Sequence, residues 1–400
     1  MVSDTTETKI PAPRTSPVCG AKTVGLPLRA LGALFRFVRR EPALSAAAAA
    51  AVVTAFFVPP DAEYIGYIDF RVIGLLFCLM TIVAGLVRTG VFAVLSARLT
   101  SLVRSARALA AVFSALAFFS AMLATNDVSL IMLVPLTIGL MRGAGARSLI
   151  VAVTLETVAA NLGSMLTPFG NPQNIFLYSN YTLTPQEFFS AVLPPAGVSA
   201  LLIAAALLLV PKGCKGSISD KRPSLAQNKR LLTASSVLFA AAVLSVLRIL
   251  DWRICLALTI AVYLPLDRRV LAGADFGLLA TFVMFFIFSG NLARIGPLRE
   301  LLMQTMDGRE IILSAAASQI ISNVPAAVML SGFTSNAHAL LIGTNIGGLG
   351  TPVASLASLI SMRFYFLSEG AARGKYIATF LAINFTYLAI LLAFTFIVRY

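Results

Sequence analysis

Charged residues are scarce in this chain of 400 residues. They make up only 12% of the sequence, whereas hydrophobic residues make up 58%, and the mean hydropathy is +0.89. A soluble domain carries about 25% charged residues. Because apolar runs recur along nearly the whole chain and several approach the roughly 20 residues of a bilayer crossing, the composition predicts an all-α polytopic membrane protein that packs against a lipid bilayer.

Histidine and paired cysteines are also lacking. His338 is the only histidine, which excludes a histidine-based metal site or catalytic triad. The four cysteines, Cys19, Cys78, Cys214 and Cys255, are far apart and form no CxxC pair, so we expect neither a disulfide nor a metal framework. The chain contains no HExxH and no Gly-x-Gly-Asp motif, which argues against an intramembrane protease. We therefore expect a protein that is not an enzyme and needs no cofactor.

Acidic residues are outnumbered, and the net charge is +14. The basic residues form short clusters between apolar runs, which is typical of cytoplasmic loops and not of a nucleic-acid-binding surface. With the N-terminus inside, 24 of the 31 lysines and arginines lie on the cytoplasmic side and 7 lie outside. This asymmetry predicts a multi-pass protein of the inner (cytoplasmic) membrane, with a cytoplasmic N-terminus, an external C-terminus and no nucleic-acid partner.

The apolar runs predict nine crossings and two re-entrant hairpins. The crossings lie near 43–58, 72–88, 148–178, 187–210, 231–247, 254–267, 277–293, 339–362 and 376–398. The two remaining apolar stretches, 109–141 and 310–334, are interrupted by polar residues, and we expect arms of about 10 to 16 residues, which is short of a full crossing. Irregular backbone at membrane depth is tolerated only inside the protein or beside a water-filled cavity.

This layout divides the chain into five parts. They are a cytoplasmic, partly disordered basic N-terminus (1–41), a first transmembrane helix and loop (42–71), transport repeat 1 (72–211), a cytoplasmic basic loop (212–230), and further transmembrane helices with transport repeat 2 (231–400).

Three landmarks recur in the same order in residues 72–178 and 277–365. The matching segments are Leu86-Val-Arg88-Thr-Gly90 with Leu292-Ala-Arg294-Ile-Gly296, Thr125-Asn126 with Ser322-Asn323, and Asn161-Leu-Gly163-Ser-Met-Leu-Thr167-Pro168 with Asn345-Ile-Gly347-Gly-Leu-Gly-Thr351-Pro352. In the predicted topology one unit begins outside and the other inside, so the repeats are inverted. Inverted repeats with discontinuous helices at the midplane indicate the binding site of a secondary transporter.

The third landmark of each repeat predicts a broken helix. In repeat one, Gly163, Pro168, Gly170 and Pro172 interrupt the helix, and Asn171 before a proline is typical of a helix start. Such a break exposes carbonyl groups, which suit Na⁺, and amide groups at a positive dipole end, which suit an anion. The alternative is a kink that serves only helix packing.

The second break repeats this pattern with more glycine. Gly347 and Gly348 let the backbone approach a ligand closely, although glycine also serves helix packing in membranes. Thr351-Pro352 is predicted to restart a helix, and Ser355 corresponds to Asn171.

The two polar tips complete the predicted site. Asn126 and Asn323 are expected to cap the returning arm and to offer a side-chain oxygen to Na⁺, with pure capping as the alternative.

Two acids are placed inside the membrane, where a charge is costly and indicates function. Asp127 and Glu156 occur in repeat one only and are the candidates for coupling transport to Na⁺ or H⁺. The alternatives are an N-terminal helix cap for Asp127, and an inter-helix hydrogen bond or a boundary position for Glu156. Arg88 and Arg294 could hold a substrate carboxylate, or anchor the helix ends at the interface.

The predicted substrate- and ion-binding residues come from both repeats. They are Thr125, Asn126, Asp127, Asn161, Gly163, Ser164, Thr167, Asn171, Asn174, Ser322, Asn323, Thr344, Asn345, Gly347, Gly348, Thr351 and Ser355.

With these motifs, residues 70–398 resemble the ion transporter superfamily. Its branches include divalent-anion/sodium symporters, citrate-transporter-like permeases, arsenite-efflux proteins and sodium/proton antiporters. The resemblance rests on Thr-Asn-Asp-Val, on Glu-Thr-Val-Ala-Ala-Asn-Leu-Gly-Ser-Met-Leu-Thr-Pro-Phe-Gly-Asn-Pro-Gln-Asn and on Ser-Asn-Val-Pro-Ala-Ala. In the dicarboxylate symporters each tip reads Ser-Asn-Thr; here Asp127 and Val324 replace the threonine. The acid at 127 and the Gly-Asn-Pro-Gln-Asn string are closer to the antiporter and arsenite branches.

The resemblance implies a homodimer that carries a small anionic solute, an organic acid of the dicarboxylate type, coupled to Na⁺ or H⁺. A cation/proton antiporter or an arsenite or oxyanion efflux permease of the same architecture is the alternative. A channel is the rival from another class, and the inverted discontinuous helices argue against it.

Overall fold

The computed structural model describes residue 38 and residues 41–101, 103, 105–213 and 229–398. Most of the predicted N-terminal part and of the basic loop 212–230 therefore lies outside the described residues, as do Cys19 and Cys214. Within the described ranges the fold is all-α and contains no β-strand.

The described residues form eighteen α-helices, which we number in chain order. They are α1 Pro42–Ala55, α2 Glu63–Tyr67, α3 Phe70–Arg88, α4 Val91–Ser101, α5 Ala106–Ala124, α6 Asn126–Leu140, α7 Ala146–Ser164, α8 Pro172–Asn180, α9 Pro185–Ala206, α10 Lys229–Val246, α11 Trp252–Asp267, α12 Phe276–Arg294, α13 Gly296–Met306, α14 Glu310–Ile321, α15 Asn323–Leu330, α16 Ala337–Gly347, α17 Leu356–Leu367 and α18 Arg373–Val398.

Seven of the described helices are long and apolar enough to cross a membrane. Six of them, α3, α7, α9, α10, α12 and α18, lie in predicted crossings, so the prediction of a polytopic helical membrane protein is confirmed. The seventh is α5, the first arm of the first hairpin, which has 19 residues where we expected at most 16. Helix α5 continues back to Ala106 because Ser105 caps its first turn, with the Oγ atom accepting from the Ala108 amide. The length argument for a re-entrant hairpin is therefore wrong for this arm.

The second hairpin matches its predicted length more closely. Its arms, α14 and α15, have 12 and 8 residues, both too short for a full crossing. In each hairpin one residue separates the two arms: Thr125 has φ 64° and ψ 154°, and Ser322 has φ 74° and ψ 154°. Positive φ is uncommon for residues other than glycine, so the same strained turn at both tips is a specific feature of the fold.

Both predicted breaks are present, but they restart differently. In repeat one, α7 ends at Ser164 and α8 begins at Pro172, where the Asn171 side chain accepts from the Asn174 amide at 2.9 Å as expected. In repeat two, Thr351-Pro352 begins only a short 3₁₀ turn. The α-helix α17 restarts after Ser355, whose extended backbone (φ −145°) interrupts the turn, so the prediction of a restart at Pro352 is wrong.

Glycines allow each broken helix to pack closely on a hairpin arm. A Cβ atom at Gly163 would collide with the backbone of Phe118 on α5, and one at Gly347 would lie 2.8 Å from the Ala315 Cα atom on α14. Helix α7 is accordingly the most deeply enclosed of the seven long apolar helices. Of its most apolar stretch 83% is buried inside the protein, whereas the value for the helix that includes α9 is 28%. Helix α7 therefore occupies the protein interior, while α9 presents most of its surface outward.

Candidate functional site

Both hairpin tips and both helix restarts meet at one small cavity. Its lining residues are Asn126, Asp127, Pro172, Gln173, Leu278, Asn323, Val324, Ser355 and Leu356. The cavity has a volume of about 10 Å³, which is about the space of a single water molecule. In this conformation the cavity has no room for a molecule larger than water.

Asn161, near the end of α7, connects the first tip to the second restart. Its Oδ1 atom accepts from the Asn126 Nδ2 atom at 2.9 Å and from the Ser355 Oγ atom at 3.0 Å. All three side chains are buried, and the Asn161 Nδ2 atom has no hydrogen-bond partner within the described ranges. Since Ser355 lies 194 residues after Asn161, this contact joins the two repeats at the site.

Asn345, near the end of α16, makes the reciprocal connection. Its Oδ1 atom accepts from the Asn171 Nδ2 atom at 2.8 Å, and its Nδ2 atom donates to the Asn174 Oδ1 atom at 2.7 Å. Asn171 and Ser355 are the N-caps of the two restarts. Each broken helix therefore holds the restart of the other repeat through an asparagine side chain.

A second pair of matching contacts joins each break to its hairpin. The Thr167 Oγ1 atom donates to the backbone oxygen of Met122 at 2.6 Å, and the Thr351 Oγ1 atom donates to that of Gln319 at 2.9 Å. Both acceptors lie three residues before the strained tip residue. The landmark threonines therefore anchor the breaks to the hairpins through their hydroxyl groups.

The carbonyl groups exposed by the first break have a donor within the protein. The Asn174 Nδ2 atom lies 3.3, 3.2 and 2.9 Å from the backbone oxygens of Ser164, Met165 and Thr167. These are the carbonyls that the sequence suggests as cation ligands, and Asn174 is the first group that Na⁺ would have to displace from them.

At the second break a glutamine side chain donates to the exposed backbone carbonyl groups. The Gln319 Nε2 atom donates to the backbone oxygens of Gly347 and Leu349 at 2.8 and 2.9 Å, and its Oε1 atom accepts from the Thr351 amide at 2.8 Å. Gln319 comes from the hairpin arm α14, whereas Asn174 comes from the restarted helix, so the two repeats satisfy equivalent groups from different directions.

The tip asparagines occupy the first position of the returning arm and not its cap. The cap positions are Thr125 and Ser322, and neither side chain makes a capping hydrogen bond. Instead, the Asn126 Oδ1 atom accepts from the amide of Asp127 at 3.1 Å, and the Asn323 Oδ1 atom accepts from the Val324 amide at 2.9 Å. The expected capping by these asparagines is therefore wrong: each Oδ1 atom accepts from the amide of the next residue and does not cap the helix.

The two membrane acids occupy different places. Asp127 lines the cavity, and its Oδ1 atom is buried without a hydrogen-bond partner among the described residues. Glu156 is completely buried on α7, and in the same part of the chain neither of its carboxylate oxygens has a partner; it does not line the cavity. Of the two coupling candidates, only Asp127 therefore shares a space with both tips.

Several other predicted site residues do not line the cavity. The hydroxyl groups of Ser164 and Thr344 donate to backbone oxygens within their own helices. Gly347 and Gly163 serve helix packing, as described above, whereas a Cβ atom at Gly348 would lie 2.8 Å from the Nδ2 atom of Asn323. Gly348 is thus the glycine whose lack of a side chain makes room for a tip.

The two repeat-landmark arginines are paired outside the cavity. Arg88 contacts Asp267 at 3.0 Å, and Arg294 contacts Asp61 at 2.7 Å. The hydrogen bond from Arg294 lowers the pKa of Asp61 below its usual value. Both arginines therefore anchor helix ends through ion pairs, in agreement with the interfacial alternative.

Six residues of the site are absent from the predicted binding residues: Pro172, Gln173, Leu278, Val324 and Leu356, which line the cavity, and Gln319 at the second break. Gln173 follows the restart proline and is 1% exposed, and Gln319 is a lone amide in an apolar arm; a polar side chain beside a break or tip was the available signal for both. Leu278 reaches the cavity from α12, and no motif marks it.

Sequence comparisons agree with this architecture. A family model described as a citrate transporter matches residues 33–340, which is 308 of the 400 residues. The chain belongs to the citrate transporter family. The match includes both tips and the first break and ends before the second break. It confirms the resemblance to the ion transporter superfamily and the prediction of a membrane transporter.

Two similar proteins carry transporter or membrane names. An uncharacterized transporter, MJ0456, of Methanocaldococcus jannaschii is 34% identical over 289 residues, which cover 71% of this chain and 78% of that protein. The inner membrane protein YbiR of Escherichia coli K12 is 31% identical over 318 residues, which cover 77% of this chain and 84% of that protein.

Proposed function

We propose that this citrate transporter family member is a secondary transporter that couples the movement of a small anion, an organic acid of the dicarboxylate type, to Na⁺ or H⁺. The observation that carries the proposal is the cavity where both tips and both restarts meet. Discontinuous helices that converge near the middle of a membrane protein are typical of transporters that work by alternating access.

The anion would bind among amide and hydroxyl donors and not on an arginine. Asn126, Asn323 and Ser355 line the cavity, and two helices, α8 and α17, begin beside it with the positive ends of their dipoles. Carboxylate groups are well suited to such donors. Because Arg88 and Arg294 are engaged in ion pairs elsewhere, charge compensation for the anion would come from the coupling ion.

Coupling is assigned to Asp127. Its buried, unpartnered Oδ1 atom faces the same cavity as the tips, so a proton or Na⁺ bound there lies beside the substrate. An acid in such a place either exchanges a proton or helps to hold a cation. Glu156 is the second candidate, since its carboxylate is buried without a partner on the helix that carries Asn161.

The closed cavity also suits a carrier. A volume of about 10 Å³ at the point where the tips and restarts meet fits a carrier whose site is constricted in this conformation, whereas a channel needs an open path in its conducting state. Opening would separate the two tips while the asparagine contacts between repeats change partners.

Transport by the purified full-length protein in liposomes tests the proposal. Citrate and C4-dicarboxylates, offered with an inward Na⁺ or H⁺ gradient, should accumulate above the external concentration, and collapse of the gradient should abolish accumulation. The alternatives have different outcomes: cation exchange without any organic anion indicates an antiporter, and movement of arsenite or an oxyanion indicates an efflux permease. Currents far above carrier turnover would indicate a channel.

Three further parts of the proposal concern the setting of the protein. We place the protein in the inner membrane with its N-terminus in the cytoplasm and its C-terminus outside, because most basic residues then lie on the cytoplasmic side. We also expect a homodimer, which mass photometry in detergent or nanodiscs can test.

A further inference from the structure

A second cavity is a groove at the beginning of α7, the end of that helix opposite to the break. It has a volume of about 610 Å³ and lies between the beginning of α7, the region after α9 and the beginning of α18. Two basic side chains, Arg147 and Lys375, stand at this groove, whose remaining lining is mainly apolar. The groove therefore has a basic part, formed by these two side chains, and an apolar part.

The charge of the groove has no compensation within it. No aspartate or glutamate lines it, and both basic side chains are exposed and without an ion pair to any described carboxylate. The nearby pair Arg142–Glu369 shows that acids are available in the adjoining turns but are used elsewhere. The groove therefore favours an anionic occupant.

The backbone reinforces this preference at the same end. Helix α7 begins at Ala146, after Gly145 with φ 89°, and no side chain caps its first turn. The uncapped amides and the positive end of the helix dipole attract negative charge. Arg147 and the N-terminus of α7 therefore both contribute positive charge at the same part of the groove.

The apolar wall continues away from the two charges. It consists of Ile150 and Val151 on α7 and of Ala378, Ala382 and Ile383 on α18. Ile383 lies eight residues beyond Lys375, which is about 12 Å at the rise of an α-helix. The groove is thus amphipathic along its length, with charges at one end and a hydrocarbon surface after them.

We propose that this groove binds one anionic phospholipid, with its phosphate at Arg147 and Lys375 and an acyl chain along the α7–α18 wall. A soluble phosphate would leave the apolar wall bare. A second protein copy would have to bury two unpaired cations. The topology prediction puts both basic residues on the cytoplasmic side, where anionic lipids attract such residues. The proposal does not depend on which substrate is transported.

The experiment is native mass spectrometry of the detergent-purified full-length protein, titrated with phosphatidylglycerol or phosphatidylcholine of the same acyl chains. Wild type should bind one phosphatidylglycerol more tightly than further copies and more tightly than phosphatidylcholine. A basic residue near a membrane surface contributes about 1 kcal/mol to anionic lipid binding. At about 1.4 kcal/mol per tenfold change, the double variant Arg147→Gln/Lys375→Gln should bind phosphatidylglycerol about 30-fold more weakly.

A matched control removes the same charge elsewhere. Arg268→Gln/Arg269→Gln changes two exposed arginines of another predicted cytoplasmic turn and should leave the tight site intact. An equal loss in this control, or undiminished binding by Arg147→Gln/Lys375→Gln, would overturn the proposal.

A second variant tests the apolar wall with the charges retained. Ala378→Trp places a large side chain in the groove from an exposed position of α18 and should weaken lipid binding at least tenfold, with an unchanged melting temperature as the check on folding. Inorganic phosphate at millimolar concentration should not displace the lipid. Full displacement by phosphate, or undiminished lipid binding by Ala378→Trp, would show a simple phosphate site and refute the lipid assignment.

Discussion

Asn345 makes two hydrogen bonds to residues of the first repeat, and replacing it tests whether these bonds stabilise the site. Replacement by alanine removes an acceptor of Asn171 at 2.8 Å and, at 2.7 Å, the one donor to the Asn174 Oδ1 atom that the described residues provide. Asn171 keeps a second hydrogen bond to the Ser164 Oγ atom at 3.2 Å, whereas Asn174 loses the partner of a completely buried oxygen.

The expected cost follows from these two interhelical hydrogen bonds. Each such bond in a membrane protein contributes about 0.6 kcal/mol on average and up to about 1.7 kcal/mol, and an unpaired buried group adds to the penalty. Asn345→Ala should therefore lower the free energy of unfolding by about 1 to 3 kcal/mol. Reversible unfolding in mixed micelles, followed by circular dichroism, measures it.

Asn384→Ala is the matched control. Asn384 is equally buried, but its Nδ2 atom donates only to the Phe380 oxygen of its own helix, and its Oδ1 atom already lacks a partner. Replacing Asn384 leaves no side chain of another helix without its hydrogen-bond partner. The loss in the free energy of unfolding should therefore be well below that of Asn345→Ala. If the two variants lose the same stability, the asparagine contacts between the repeats do not hold the site.

The remaining predictions concern function and topology. Asn126→Ala and Asn323→Ala should each reduce the initial rate of uptake in liposomes at least tenfold while the melting temperature stays near that of wild type; normal uptake by both would refute the two-tip site. Asp127→Asn should keep substrate exchange but lose accumulation against a gradient, and an unchanged pH and Na⁺ response would move coupling to another group. Membrane-impermeant thiol reagents applied to intact cells should miss Cys214, and strong labelling there would overturn the predicted orientation.

Local sequence rules accounted for the positions of the tips and of the first break. Thr125 and Ser322 interrupt apolar stretches, and Asn171 followed by proline caps a helix, because these effects depend only on nearby residues. The same rules failed at Thr351-Pro352, where Ser355 postpones the helix. The same rules also underestimated the length of α5, because an apolar pattern does not mark the residue at which a capped helix begins.

Composition, hydropathy and motifs were enough to predict the membrane class, six of the apolar helices and the family, because these are properties of the chain alone. Which polar groups meet became visible only in the folded protein. Asn161 binds Ser355, and Asn345 binds Asn171, across more than 170 residues. The structure likewise separated Asp127, which lines the cavity, from Glu156, which does not. No periodicity encodes these pairings, because they depend on how two distant repeats pack against each other.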